Sequence, residues 1–120
     1  MNITIKATKY ELTLATEALL REKLSPIARL LGNDSSHALL EMEIEEAPAE
    51  GRSSEPCRLV ARLTGNGKVF HAEAVKPTPE SAADKVRSEL EAEIRHTSGR
   101  ARRLLRHGSA AIKQILRFGR

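Results

Sequence analysis

The sequence predicts an α+β domain in the order β-α-β-β-β-α, with a four-stranded sheet and two roughly parallel helices packed on one of its faces. Four stretches alternate apolar and polar residues, which is typical of half-buried strands. Two longer stretches repeat apolar residues every three or four positions, which is typical of amphipathic helices. Because one sheet needs cover for its apolar face, we expect both helices to lie on that face.

Four strands follow from the alternation, over residues 2–8, 38–47, from 57 onward and 68–75. Their core-facing residues are the apolar ones: Ile3, Ile5, Ala7, Ala38, Leu40, Met42, Ile44, Cys57, Leu59, Ala61, Leu63, Phe70, Ala72 and Ala74. Asn66-Gly67 indicates a two-residue hairpin between the last two strands. Residues 46–56 have no period and several breakers, which predicts a long flexible loop.

The first predicted helix begins after Thr13, whose hydroxyl suits an N-cap. Its inner stripe consists of Thr16, Leu20, Leu24, Ile27 and Leu31. Pro26 falls inside this stripe, where a proline costs about 3 kcal/mol or more, but Ser25-Pro26 also suits the N-cap and first turn of a new helix. We therefore expect a kink or a restart at Ser25, and an end at Gly32.

The second predicted helix begins with Thr78 as N-cap and Pro79 in its first turn. Its inner stripe consists of Ala83, Val86, Leu90, Ile94 and Thr97. Gly99 is expected to weaken or end this helix, with a further helical stretch over residues 101–107. We divide the chain into one domain over residues 1–107 and a short basic tail over 108–120.

Charge is distributed unevenly along the chain. Residues 94–120 carry eight Lys or Arg and no Asp or Glu, whereas the preceding residues carry 12 basic and 16 acidic side chains. A concentrated positive field attracts a polyanion, and nucleic acid is the obvious candidate. One Tyr, two Phe and no Trp leave few rings for base stacking, so Lys and Arg contacts to phosphate are the expected source of affinity.

The remaining features of the composition indicate a cytoplasmic protein without membrane contact. Cys57 is the one cysteine, so an intramolecular disulfide is excluded and a reducing compartment fits. The N-terminal residues lack the basic-then-apolar pattern of a secretion signal. No apolar run approaches the ~20 residues that a membrane-spanning helix needs.

The residues that could carry chemistry favour structural roles. The four histidines lie in different predicted elements, and Cys57 faces the predicted core. We therefore predict no enzyme, no metal, no cofactor and no small-molecule substrate. A row of four glutamates, Glu41, Glu43, Glu45 and Glu46, could hold a cation, but it better suits the water-facing side of an exposed strand. A small enzyme, or a protein-interaction domain that uses this strand, is a competing hypothesis.

Two helices side by side on one sheet face present their outer surfaces together. On the first predicted helix this surface carries Arg21, Lys23 and Arg29. On the second it carries Lys85, Arg87, Arg95, His96 and Arg100. The sequence thus predicts a shared cationic ridge that faces away from the sheet.

Several segments, in this order and spacing, carry a resemblance to a known family. They are Ile3-Thr4-Ile5-Lys6-Ala7-Thr8 leading to Glu11-Leu12-Thr13, Lys23-Leu24 through Arg29-Leu30-Leu31, Leu40-Glu41-Met42-Glu43-Ile44, His71-Ala72-Glu73-Ala74, Ser81-Ala82-Ala83-Asp84-Lys85-Val86 into Leu90 and Ile94, and Gly99-Arg100-Ala101-Arg102-Arg103. Over about residues 1–106 the chain resembles the ribosome hibernation-promoting factor / ribosome-associated inhibitor A family, in its short form. Long members carry a further C-terminal domain that pairs two ribosomes, and only a short tail stands in its place here.

The resemblance implies a fold similar to double-stranded-RNA-binding domains and a role in translation regulation and stress response. Family members bind the small (30S) subunit of the 70S ribosome, in the channel used by mRNA and by A- and P-site tRNA. The implied contacts to 16S rRNA phosphates are Lys23, Arg29, Lys85, Arg87, Arg95, His96, Arg100, Arg102, Arg103 and Arg106. Arg21 is added from the helix surface alone.

The chain departs from the family pattern at several positions. Pro26 stands where the family usually has a lysine, and Leu30-Leu31 stands where aromatic residues are common. Residues 96–98 replace much of a lysine-rich run. The function implied is ribosome hibernation by occlusion of the small subunit, and a general double-stranded RNA-binding module is the alternative.

Overall fold

Four strands form one sheet in the order β1-β2-β3-β4 in the computed structural model. The structure describes residues 1–47, 56–65 and 67–105, with side chains for all of these but residues 33, 34 and 98–105. The strands are β1 (Asn2–Thr8), β2 (Leu39–Glu46), β3 (Cys57–Gly65) and β4 (Lys68–Lys76). β1 runs parallel to β2, and the other two neighbouring pairs are antiparallel.

The helices are α1 (Leu14–Leu24), α2 (Ile27–Leu31) and α3 (Pro79–Leu105), and a 3-10 helix (Gly32–His37) joins α2 to β2. The pairing pattern makes β1 and β4 run in the same direction, so α1 and α3, which follow them, both run back across the sheet. They pack against each other, and α3 also packs against β3 and β4. The predicted fold class is confirmed, although the 3-10 helix was not predicted.

The core lies between the helices and one face of the sheet. Its largest fully buried side chains come from all three helices and from β2 and β3: Leu20, Leu24, Ile27, Leu40, Ile44, Leu59, Leu63, Val86 and Leu90. The predicted inner faces of β2 and β3 are buried as expected. The inner residues of β1 are only half-buried, because β1 is an edge strand and packs against the margin of the core.

The break between α1 and α2 confirms the predicted kink, but Ser25 acts differently from the prediction. Both Ser25 and Pro26 keep right-handed helical backbone angles, and Ser25 is the C-cap of α1 rather than the N-cap of α2. Pro26 has no N–H for the carbonyl of Glu22, four residues earlier. The Ser25 hydroxyl donates to that carbonyl oxygen instead, at 3.0 Å.

The structure agrees with most of the other predicted helix ends. Thr13 and Thr78 cap α1 and α3 as predicted, accepting hydrogen bonds from the amides three residues later at 3.1 and 3.2 Å. Gly32 ends α2 with φ of +58°, a conformation that favours glycine. Gly99 was expected to weaken or end the long helix, and it does not end it, because α3 continues through it to Leu105. One glycine costs only about 1 kcal/mol, and good helix formers follow it.

The two connections between the last three strands agree with the predictions as far as the structure describes them. Gly65 pairs with Lys68 across the β3–β4 turn, which confirms the two-residue hairpin. At the base of the longer connection, the amide of Ala47 donates to the carbonyl of Pro56 at 2.9 Å. The predicted flexible loop falls largely on residues 48–55, and the predicted tail on 108–120, both of which lie outside the described residues.

Candidate nucleic-acid interface

The outer surface of the helix layer exposes three of the predicted cations. Arg29 on α2 and His96 on α3 are exposed, and 67% of the Arg95 side chain is open to solvent. No hydrogen bond or ion pair from another described residue engages the side chain of Arg29 or of His96. These side chains are therefore available to an external partner.

Arg21 lies on the flank of α1 that faces the outer edge of the sheet. Its guanidinium donates from Nη1 to the carbonyl oxygen of Ile3 on β1 at 2.9 Å. Nη2 donates to Glu17 Oε1, one turn earlier on α1, at 3.1 Å. Two intramolecular acceptors thus hold Arg21 away from α3.

Lys23 lies on the opposite flank of α1 and faces α3. Its ammonium is 3.1 Å from Asp84 Oδ1 and 3.6 Å from Glu80 Oε1, both in the first turns of α3. The hydrogen bond to Asp84, with attraction from both carboxylates, raises the pKa of Lys23 above its ordinary value. Lys23 therefore links the two helices and has its charge balanced within the molecule.

Two cations of α3 lie on the flank that faces α1 and α2, and one carboxylate connects them. Arg87 Nε is 3.4 Å from Glu91 Oε1, and Arg95 Nη2 is 3.5 Å from Glu91 Oε2. The Arg87 Nε atom is buried and donates no hydrogen bond to any described residue. The spacing of four residues puts all three side chains in one row along the helix.

Lys85 lies on the other flank of α3, toward β4. Its ammonium is 3.9 Å from Glu89 Oε1. Glu89 Oε2 in turn accepts a hydrogen bond from the amide of Glu73 on β4 at 3.4 Å. The cations predicted on this helix are therefore distributed over two flanks, with Lys85 toward the sheet edge and Arg87 and Arg95 toward the neighbouring helices.

Charge changes sign along α3. Its five acidic residues, at positions 80, 84, 89, 91 and 93, all precede Ile94. The part from Arg95 to Leu105 has four arginines and no acid. This order complements the helix dipole, and it concentrates positive charge at the C-terminal half. The backbones of Arg100, Arg102 and Arg103 belong to this half, whereas Arg106 lies outside the described residues.

The opposite face of the sheet carries charges of both signs. Glu45 pairs with Arg58 at 3.0 Å, and Glu43 pairs with Lys6 at 3.9 Å. Arg58 also hydrogen-bonds to Glu73, and this contact, with the pull of Glu45, raises the pKa of the guanidinium. The predicted acidic row is thus partly neutralised by its neighbours, which fits the water-facing interpretation. Within the described ranges, no cluster of three His, Cys, Asp or Glu could hold a metal ion.

The structure places two other candidates for chemistry, Cys57 and His71, on the sheet. Cys57 is buried, as predicted, and burial raises the pKa of its thiol. Exposed His71 lies on the sheet face opposite the core. Over the residues that the structure describes, no helix has the length and apolar character needed to cross a membrane.

Sequence reasoning missed the acidic partners of the predicted cations. The row of Arg87, Glu91 and Arg95 could have been found from its regular spacing, since residues four apart on a helix are neighbours. The contacts of Lys23 with Glu80 and Asp84 left no such signal, because they depend on how α1 and α3 pack.

The family model for sigma 54 modulation protein / S30EA ribosomal protein matches residues 3–102. Among solved structures, the N-terminal domain of Protein Y from Thermus thermophilus is similar with a TM-score of 0.66 at 18% identity, over 80% of this chain and 98% of that one. A ribosomal subunit interface protein from Coxiella burnetii is similar with a TM-score of 0.66 at 14% identity, over 82% and 99% of the two chains. No curated protein matches significantly.

Proposed function

This chain belongs to the sigma 54 modulation protein / S30EA ribosomal protein family, that of the ribosome hibernation-promoting factors, and we propose on this basis that it binds the small ribosomal subunit and holds ribosomes inactive. In this proposal the helix layer lies against 16S rRNA in the 30S subunit, free or within the 70S ribosome. The bound protein occupies the mRNA channel and the A and P tRNA sites. It acts by occlusion, without catalysis.

The observation that carries the proposal is the difference between the two faces of the molecule. The helix layer presents Arg29, Arg95 and His96 to solvent and continues into the acid-free half of α3. The open sheet face presents paired charges of both signs. Phosphate-rich RNA is attracted to a concentrated positive field and gains little from a mixed one.

The proposed phosphate contacts differ in their exposure and in whether groups of the same molecule already engage them. Among the residues whose side chains the structure describes, exposed Arg29, Arg95 and His96 form the main set. Arg100, Arg102, Arg103 and Arg106 are added from the sequence alone. Lys23 and Lys85 are paired with carboxylates in the free protein, so they contribute only as far as RNA competes with those partners. Arg87 and Arg95 share one carboxylate, that of Glu91. Arg21, which is held by Ile3 and Glu17, contributes least.

The test compares two double charge reversals that change the net charge equally. Arg29→Glu with Arg95→Glu alters the helix layer, and we expect co-sedimentation with 30S subunits to weaken by at least about tenfold, because two contacts become repulsive. Lys6→Glu with Arg62→Glu alters the open sheet face, and we expect little change. Circular dichroism checks that both variants fold. Equal losses in the two variants would contradict the proposed face.

Two competition experiments test the finer parts of the proposal. If the protein occupies the A and P sites, then tRNA and the protein displace each other from 70S ribosomes, whereas simultaneous binding contradicts occlusion. If the protein recognises the folded 30S surface, then free duplex RNA competes poorly. Strong competition by duplex RNA would instead indicate a general double-stranded RNA-binding module.

A further inference from the structure

The row of Arg87, Glu91 and Arg95 places an acid within a surface proposed to bind a polyanion. The two oxygens of Glu91 are divided between the two arginines, at 3.4 and 3.5 Å. The Glu91 side chain is only 22% exposed, against 67% for Arg95. Glu91 is therefore the least exposed side chain of the three, since Arg87 is 36% exposed.

This placement has two opposing electrostatic consequences. A negative charge near the binding surface repels phosphate, so counting charges alone assigns Glu91 an unfavourable effect. However, an arginine side chain loses rotamer entropy when it is fixed by a ligand. A carboxylate that already restrains two arginines reduces that cost at the moment of binding.

The surroundings of Arg87 make this restraint specific to Glu91. The buried Arg87 Nε atom has no hydrogen-bond acceptor among the described residues. Glu91 supplies the one ion pair that those residues provide to it. On the same flank, one and two turns earlier, Asp84 and Glu80 are occupied by Lys23 and leave Arg87 to Glu91.

We propose that Glu91 is a positioning residue, which holds the guanidinium groups of Arg87 and Arg95 in the geometry that engages rRNA phosphates. This inference rests on the proposed function, since it assumes that the helix layer is the RNA-binding surface. It assigns to an acid a favourable part in binding RNA. Its consequence is a change in affinity whose sign is opposite to the one that net charge predicts.

The test is Glu91→Gln, which keeps the shape of the side chain and removes its charge. We expect the dissociation constant for 30S subunits to rise about threefold or more, because both arginines become freer. The matched control is Glu93→Gln on the same helix, an exposed residue to which the described part of the chain provides no ion-pair partner. This control makes the same charge change and should bind equally well or slightly tighter.

A second variant separates positioning from a general structural effect. In an Arg95→Ala background, Glu91 has lost one of the two groups it restrains, so Glu91→Gln should weaken binding less than in the wild type, or strengthen it. The inference is overturned if Glu91→Gln binds as tightly as Glu93→Gln, or if its effect is undiminished in that background. If the wild-type protein itself does not sediment with 30S subunits, the proposed function fails and this inference fails with it.

Discussion

Cys57 shows how burial decides the chemistry of a single residue. Its side chain is 2% exposed, and its Sγ atom donates to the carbonyl oxygen of Lys76 at 3.4 Å. Desolvation raises the pKa of the thiol above its ordinary value of 9.0, so the thiolate is disfavoured at neutral pH. This explains why the only thiol of the chain makes a poor nucleophile and a good core residue.

The same burial predicts how folding stability depends on alkaline pH. Burial also raises the pKa of Tyr10 above 10.0, with a smaller contribution from Cys57. Because the folded pKa of each group exceeds the unfolded one, the stability they contribute is complete below about pH 9 and is lost as the pH rises through the folded values. We expect the urea midpoint to fall above pH 9, and to fall less in Cys57→Ala. A midpoint that rises over this range would contradict the assignment.

Single residues also mark the limit of what could be predicted from the sequence. Thr13, Thr78 and Pro26 act locally, so their positions in the chain were enough to predict two caps and a break. Arg21, by contrast, donates to the carbonyl oxygen of Ile3, 18 residues away on an edge strand. Such contacts are set by tertiary packing, and only the exposed side of each helix, not the direction of each long side chain, follows from periodicity.

At the scale of the element, a side-chain hydrogen-bond donor replaces a missing backbone donor at the break between α1 and α2. The Ser25 hydroxyl satisfies the Glu22 carbonyl because Pro26 cannot. After the break, the amides of Ala28 and Arg29 donate to Ser25 and Pro26, three residues earlier, at 3.1 Å each. The backbone thus stays helical, but these two hydrogen bonds span three residues where an α-helix spans four.

This arrangement predicts coupling between the two residues. Ser25→Ala leaves the Glu22 carbonyl without its internal donor and should cost about 0.5–1 kcal/mol of unfolding free energy, since the site is exposed. In a Pro26→Ala background the new amide at position 26 can donate to that carbonyl, and the cost of Ser25→Ala should become smaller. Urea denaturation of the four proteins of this double-mutant cycle measures the difference. Equal costs in both backgrounds would show that the hydroxyl has no such role.

Among the elements, periodicity predicted all four strands and both helical regions, because each has one apolar face against a single core. The 3-10 helix over Gly32–His37 has no apolar repeat of its own, so it gave no signal. Gly99 gave a signal that left a weakened helix and a helix end both open. Helix propensity is a weak local preference, and α3 continues for six residues beyond that glycine.

At the scale of the whole molecule, the proposed binding should depend steeply on salt. Neutralising about 6 to 10 phosphates would lower affinity by about 10³–10⁵ between 50 and 200 mM salt. Because Lys23 and Lys85 already have carboxylate partners, we expect the lower end of this range. Co-sedimentation with 30S subunits across a salt series gives the slope, and a slope near zero would argue against phosphate contacts as the main source of affinity.

The charged helix residues that touch the sheet have a consequence for crowded conditions. Arg21 occupies the Ile3 carbonyl at one border of the sheet, and Glu89 occupies the Glu73 amide at the other. A strand arriving from a second molecule would have to displace a charged group at either border before it could add to the sheet. Both contacts disfavour edge-to-edge association, so copies of this protein at high concentration should stay separate.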